Sequence, residues 1–344
     1  MTRSHRIDSG GVGIHAVSEG EGPLVLMVHG FPGLAYSWRH QMTPLAEAGY
    51  RAVAIDCRGY GRSDRPLELD RYNSEVYRQD LLAVIDHFGA QKALIIGQDF
   101  GAQHSWNLSV RSPERVAGVL CMVPYDMDMA GRGLARTGEI TDPAAMAAAA
   151  APPSARFAEL AKQHFTHVHY LQERGPAEAE LGPRAREFLG KLFWALSGQG
   201  RYFDLYAFPS EGTGYLDVLK APPPLPWDWL SVADMDFYVA AYEREGGEKT
   251  FIGGLNSYRS ADDNWRIGAA WADANVNVPA TFVCGAEDPV LKMIDPRWRE
   301  KMAERIPDLR GFEIVPGAGH FVQQERPAET TAAILDFVKG VGRW

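Results

Sequence analysis

Leu94-Ile95-Ile96-Gly97-Gln98-Asp99-Phe100-Gly101-Ala102 is the stretch on which the reading of the chain turns. Its apolar start, with two isoleucines, reads as a buried strand. Glycines stand two residues before and two after Asp99, which permits a sharp turn, and Ala102-Gln103-His104-Ser105-Trp106 begins a helix. A strand-turn-helix of this kind holds one strained residue with its side chain exposed, because small neighbours let the backbone close tightly around it. Here that residue is an aspartate. An ordinary turn with Asp99 as a helix N-cap would carry the same pattern, so partners elsewhere must decide.

Further strands lie on either side. Val12 to Ser18 reads as a short strand, and Leu24-Val25-Leu26-Met27-Val28 as one buried on both faces. It ends at His29-Gly30-Phe31-Pro32-Gly33, a turn that must bring backbone N–H groups close to something. A helix over Tyr36 to Ala48, a strand Ala52-Val53-Ala54-Ile55 and the loop Asp56 to Ser63 follow. Ser74 to Phe88 sets Val76, Leu81, Val84, Ile85 and Phe88 on one helical face, and Val116 to Val123 is another buried strand. Strands alternating with helices predict a mostly parallel sheet flanked by helices. Ligands of such sheets sit at the carboxyl ends of the strands, where His29 to Pro32, Asp56 and Asp99 would gather.

The character changes near Asp126. Gly131-Arg132-Gly133 and Asp142-Pro143 break the chain. Helical patterns then run from the alanine-rich Ala144 to Ala151 to about Asn264, interrupted by Pro222-Pro223-Pro224-Leu225-Pro226. Aromatic residues are dense here, Phe193, Trp194, Tyr202, Phe203, Tyr206, Trp227, Trp229, Phe237, Tyr238 and Tyr242 among them, and read mostly as packing. The segment 129–266 is therefore expected to be a helical cap inserted into a core of 1–128 and 267–344. The sheet resumes at Ala280-Thr281-Phe282-Val283-Cys284, followed by Gly285-Ala286-Glu287-Asp288-Pro289. A helix through Arg297 to Ile306, a strand Gly311 to Val315, the turn Pro316-Gly317-Ala318-Gly319-His320 and a helix Thr330 to Lys339 complete it.

Composition narrows the class. Hydrophobic residues at 46% suffice for a large core, and a net charge of −9 argues against a nucleic-acid partner. No window reaches the ~18 unbroken apolar residues of a membrane span, and Met1 to Arg6 lead into no apolar secretory segment. Cys57, Cys121 and Cys284 lie far apart, in or beside predicted buried strands, as small core residues would in a reducing compartment. A cytoplasmic enzyme is expected.

Three chemistry-bearing residues, Asp99, Asp288 and His320, fall on loops after three predicted strands. A carboxylate nucleophile attacks carbon with no proton to remove first, which suits an epoxide or alkyl halide better than acyl transfer. His320 can activate water if an anion fixes its tautomer and stabilises the imidazolium, and Asp288 supplies that anion. Oxyanion donors would be the backbone N–H groups of Phe100 and Phe31. The order nucleophile, acid, histidine is that of the α/β-hydrolase triad.

Taken together these residues resemble the α/β-hydrolase epoxide hydrolases, over nearly the whole chain. His29-Gly30-Phe31-Pro32 looks like that family's HGxP motif, whose x-Pro bond is usually cis, and Gly97-Gln98-Asp99-Phe100-Gly101 like its small-x-Asp-x-small nucleophile motif. Gly253-Gly254-Leu255-Asn256-Ser257-Tyr258-Arg259 resembles the cap segment ending in Trp-Tyr-Arg, which implies Tyr258 as one ring-opening acid. His167-Val168-His169-Tyr170-Leu171-Gln172-Glu173-Arg174-Gly175-Pro176-Ala177-Glu178-Ala179-Glu180-Leu181 resembles the segment whose first residue, usually Tyr, is the other. His167 occupies that place, with Tyr170 the rival donor three residues on. The resemblance implies a small epoxide and water as reactants, His29, Pro32 and Tyr170 as substrate-binding residues, no cofactor, and the homodimer many relatives form.

Two alternatives share the nucleophile. Haloalkane dehalogenases use an elbow Asp but usually bind the leaving halide with a Trp following it, and fluoroacetate dehalogenases have an Arg after the nucleophile and a Trp after a cap His, where this chain has Phe100 and Val168. Asp126 could be the acid in such an arrangement, though the Gly-Ala-Glu-Asp-Pro turn favours Asp288. A non-catalytic ligand-binding relative would usually lack a triad member, and all three are present. No Gly-x-Ser-x-Gly occurs, which disfavours a serine esterase. His164, His167 and His169 have no carboxylate or Cys at metal-ligand spacing, so no metal is expected.

Overall fold

The computed structural model describes residues 2–125, 150–271, 273–294 and 296–344. Asp126, the Gly131 to Gly133 and Asp142-Pro143 breaks, and most of the alanine run lie outside the described residues. Eight strands form one sheet: β1 Arg3–Ser9, β2 Val12–Glu19, β3 Leu24–Val28, β4 Arg51–Asp56, β5 Ala93–Gly97, β6 Val116–Cys121, β7 Ala280–Gly285 and β8 Leu309–Val315, in the spatial order β1-β2-β4-β3-β5-β6-β7-β8. From β4 to β8 every pairing is parallel; β1 and β2 are an antiparallel edge.

β1 escaped the sequence reading. Arg3, Ser4, His5 and Arg6 carry no apolar alternation, because this outermost strand faces water and buries only Ile7 and Ser9. Pairing with β2, from Arg3 opposite Ser18 to Ser9 opposite Val12, makes it a strand.

β3 and β5 read as unbroken apolar runs because both faces of the sheet are covered. Val25, Met27, Leu94 and Ile96 pack with Trp38, Leu45, Ile334 and Phe337 on one side. Leu24, Leu26, Val28 and Ile95 pack on the other with Leu81, Val84 and Trp106. The alternation of strand side chains feeds two cores from one run.

β3 lies between β4 and β5, so the loops leaving β3 and β5 part in opposite directions. Register puts Val28 opposite Gly97, which ends both strands at one level. A topological switch point of this kind opens a crevice, and the turns of Phe31 and Asp99 meet there.

Between β6 and β7 the described chain is helical, from Pro153–Ala161 to Ala261–Gly268. It packs over the crevice through Phe193 against Phe321, while Arg65 donates to the carbonyls of Ala241, Tyr242 and Lys249. Among the described residues no helix is long and apolar enough to cross a membrane.

Ile96 is fully buried in the centre of the sheet. Ile96→Ala is expected to cost about 2–5 kcal/mol through lost burial and the cavity left behind, read as a lower urea midpoint at unchanged slope.

Candidate active site

Asp99 stands at φ 53°, ψ −124°, the sole described residue other than glycine with positive φ. Glycine neighbours make the turn possible by their lack of a side chain. A Cβ on Gly101 would run into the carbonyls of Val28 and His29, and one on Gly30 would meet the Asp99 side chain itself. Asp99 Oδ1 accepts from the Phe31 N–H at 2.8 Å, and the Phe100 N–H also hydrogen-bonds the carboxylate. Oδ2 faces His320 Nε2 at 3.4 Å.

On the far side of the imidazole, Nδ1 lies 3.1 Å from both oxygens of Asp288, whose Oδ1 also accepts from the Val290 N–H at 2.9 Å. The Asp288 and His320 side chains are each 2% exposed and Asp99 is 19% exposed, so Asp99 is the most accessible of the three. Burial pushes the Asp99 carboxyl up, but the His320 contact and two backbone N–H groups outweigh it and hold the group below its usual value. Burial alone would lower His320; the charges of Asp288 and Asp99 and hydrogen bonds to both raise it to about 10.

Two cap residues face this carboxylate. The Tyr258 ring meets Phe100 edge-on at 4.8 Å and His167 at 5.4 Å, and its hydroxyl has no hydrogen-bond partner among the described residues. Burial, with the Asp99 charge adding to it, pushes that hydroxyl well above 10. Gly253 and Gly254 let its helix, Ile252–Arg259, lie directly on the Tyr60 and Phe31 rings, which any Cβ there would strike. His167 is lowered to about 4 by burial, with the Asp99 charge opposing the shift, so the ring is neutral at physiological pH.

Other expected site residues sit differently. His29 is buried with both ring nitrogens engaged: Nδ1–H donates to Gly30 O at 2.7 Å, and Nε2 accepts from the Cys57 N–H at 3.0 Å. It braces the Phe31 turn and has no ring nitrogen left for a substrate. Pro32 follows a cis Phe31–Pro32 bond in the same turn. The Tyr170 hydroxyl donates to Glu180 at 2.6 Å. His164 Nδ1 donates to Phe165 O, whereas His167 Nδ1 meets the Tyr202 hydroxyl.

Arg259, quoted in the sequence but given no role, ties the two donor segments together. It makes a bidentate pair with Glu178 at 2.7 and 3.1 Å and donates to the carbonyls of Leu171 and Glu173. Gln172 reaches Tyr258 O from the His167 side at 3.1 Å. Tyr202 and Tyr215, whose hydroxyls extend from His167, were missed as site residues; one more aromatic in an aromatic-rich segment carries no local signal.

A family model described as alpha/beta hydrolase fold matches residues 23–327. Epoxide hydrolase A of Mycobacterium tuberculosis is 36% identical, with 97% of each chain covered. Epoxide hydrolase 2 of Siraitia grosvenorii is 32% identical, with 97% of each covered. Among solved structures, epoxide hydrolase A from Mycobacterium thermoresistibile superposes with a TM-score of 0.84 at 36% identity, covering 99% of both chains. An epoxide hydrolase from an endophytic Streptomyces reaches 0.84 at 34% identity, covering 99% of this chain and 96% of its own.

Arg259 is almost wholly buried, and Glu178 nearly so. Arg259→Ala, which strands the Glu178 carboxylate, is expected to lower stability by about 3–5 kcal/mol in urea unfolding. A loss under about 1 kcal/mol would mean that the clamp holds little.

Proposed function

The chain belongs to the epoxide hydrolases of the alpha/beta hydrolase fold, and from that premise we propose the residue roles by which it turns an epoxide and water into a vicinal diol. One observation carries the reading. The Asp99 carboxylate is held by the Phe31 N–H at Oδ1 while Oδ2 faces His320, and its charge acts on both Tyr258 and His167 of the cap.

Oδ2 attacks an epoxide carbon, the ring C–O bond breaks, and the freed oxygen takes the Tyr258 proton while His167 donates a hydrogen bond. The product is an alkyl ester whose carbonyl oxygen, Oδ1, already lies on the Phe31 N–H, with the Phe100 N–H also at the carboxyl group. Ester formation cancels the Asp99 charge, which removes one of the two anions supporting the His320 imidazolium. Its proton then passes, through water, to the Tyr258 phenolate. Neutral His320, oriented by Asp288, deprotonates a water that attacks the ester carbonyl carbon. Negative charge builds on Oδ1, where the Phe31 N–H is waiting. Collapse breaks the bond to the glycol oxygen, which leaves with the Asp99 carboxylic proton as the diol. Asp99 is again the anion beside cationic His320.

The dehalogenase reading loses its support at Phe100, whose ring packs on Tyr258 and offers no N–H to a halide. Three buried free cysteines support a reducing, cytoplasmic setting.

A single turnover in heavy-oxygen water is expected to label Asp99 before the diol; label in the diol alone would refute the ester. His320→Gln and Asp288→Asn are expected to accumulate the ester, seen as one substrate mass on the Asp99 peptide. Alkylation is also expected to be flat from about pH 5 to about pH 9. The Asp99 carboxylate is already ionised there, His167 at about 4 is neutral, and neither His320 at about 10 nor Tyr258 above it titrates. A fall in the pre-steady-state rate across pH 6–7 would instead require a cationic His167.

A further inference from the structure

A neutral histidine carries one N–H, so His167 can serve the epoxide oxygen only if the right nitrogen holds it. Resting on the donor role proposed above, we infer that Tyr202 is a positioning residue that fixes this tautomer, with Tyr215 fixing Tyr202 in turn. The Tyr202 hydroxyl lies 2.7 Å from His167 Nδ1 and 3.1 Å from the Tyr215 hydroxyl. Nε2 has no hydrogen-bond partner among the described residues.

Two directions of donation are open to this chain, and their end groups tell them apart. If Nδ1–H donates to Tyr202, then either Tyr202 donates to Tyr215 or Tyr215 donates to Tyr202, and one buried hydroxyl, Tyr215 or Tyr202 respectively, is left with a hydrogen and no acceptor among the described residues. An unmet buried donor is costly. The same direction leaves a lone pair on Nε2 as the ring nitrogen open to the Asp99 side, and Asp99 is the charge His167 feels. In the other direction Tyr215 donates to Tyr202, Tyr202 donates to Nδ1, and the N–H falls on Nε2. Every hydrogen of the chain is then used except the one at Nε2, and that one is attracted by the carboxylate.

Both tyrosines are suited to the task. Burial raises each hydroxyl above its ordinary value, so both keep their hydrogens through the working pH range. The rings also grip the imidazole, Tyr215 stacking on it at 5.9 Å and 16° and Tyr202 meeting it edge-on at 5.7 Å. A tyrosine at position 167 would set its own hydroxyl rotor; a histidine needs an external partner to choose its nitrogen.

The test pairs kinetics with a spectroscopic signature. In wild-type protein carrying nitrogen-15 histidine, His167 is expected to show Nδ1 unprotonated and Nε2 protonated, and in Tyr202→Phe a mixture. Tyr202→Phe keeps the ring and is expected to slow alkylation roughly 10- to 100-fold while leaving ester hydrolysis unchanged, which also reports an intact triad. In a His167→Phe background the Tyr202→Phe change is expected to add nothing, because the two act through one hydrogen bond. Protonated Nδ1 in the wild type, or wild-type alkylation by Tyr202→Phe beside a slow His167→Phe, overturns the tautomer assignment alone. Wild-type alkylation by His167→Phe overturns the donor role as well.

Discussion

The rest of the site depends on one buried contact, the Asp99 carboxylate held between backbone N–H groups and the His320 imidazole. A carboxylate out of water needs its charge met, and a nucleophile needs one oxygen left open. The two demands are reconciled by dividing the oxygens. Oδ1 takes the Phe31 N–H, the Phe100 N–H adds a second backbone bond to the carboxylate, and Oδ2 takes the looser approach of His320. That division needs β3 and β5 to end at one level, and it needs Asp99 in a backbone conformation that only crowded, glycine-flanked turns allow.

Charge is placed economically around it. Asp288 and Asp99 flank a single imidazole, which makes His320 strongly basic while both anions are present and weaker once one is esterified. The groups on the cap side are all uncharged: Tyr258, His167, Tyr202 and Tyr215 keep their neutral forms because burial disfavours ionisation of each. Under the proposed roles, neutral donors approach an anionic nucleophile without forming an ion pair that would blunt it.

Geometry is held by residues beyond the carboxylate's own contacts. Glu325 accepts the N–H groups of Gly319 and Phe321, on either side of His320, and that of Gly198 from the cap, so one carboxylate joins the histidine loop to the cap. Arg65 and Arg259 do the same elsewhere through carbonyls of separate segments. Such contacts favour a single seating of the cap, because each donor has fixed partners on both sides.

The sequence by itself determined the α/β class, seven of the eight strands, and the residues that meet at their carboxyl ends. Those follow from local rules: apolar runs bury on two faces, glycines flank a strained turn, and Asp99, Asp288 and His320 each stand just after a strand. β1 was invisible because an edge strand with one wet face needs almost no apolar residues. The tertiary structure alone decided where polar atoms point. His29 turned out to be a brace with both nitrogens used, and the Tyr170 hydroxyl was claimed by Glu180 ten residues on. Tyr202 reached His167 across 35 positions. Hydrogen bonds between segments that far apart are set by how the helices pack, and no periodicity or motif spacing records that.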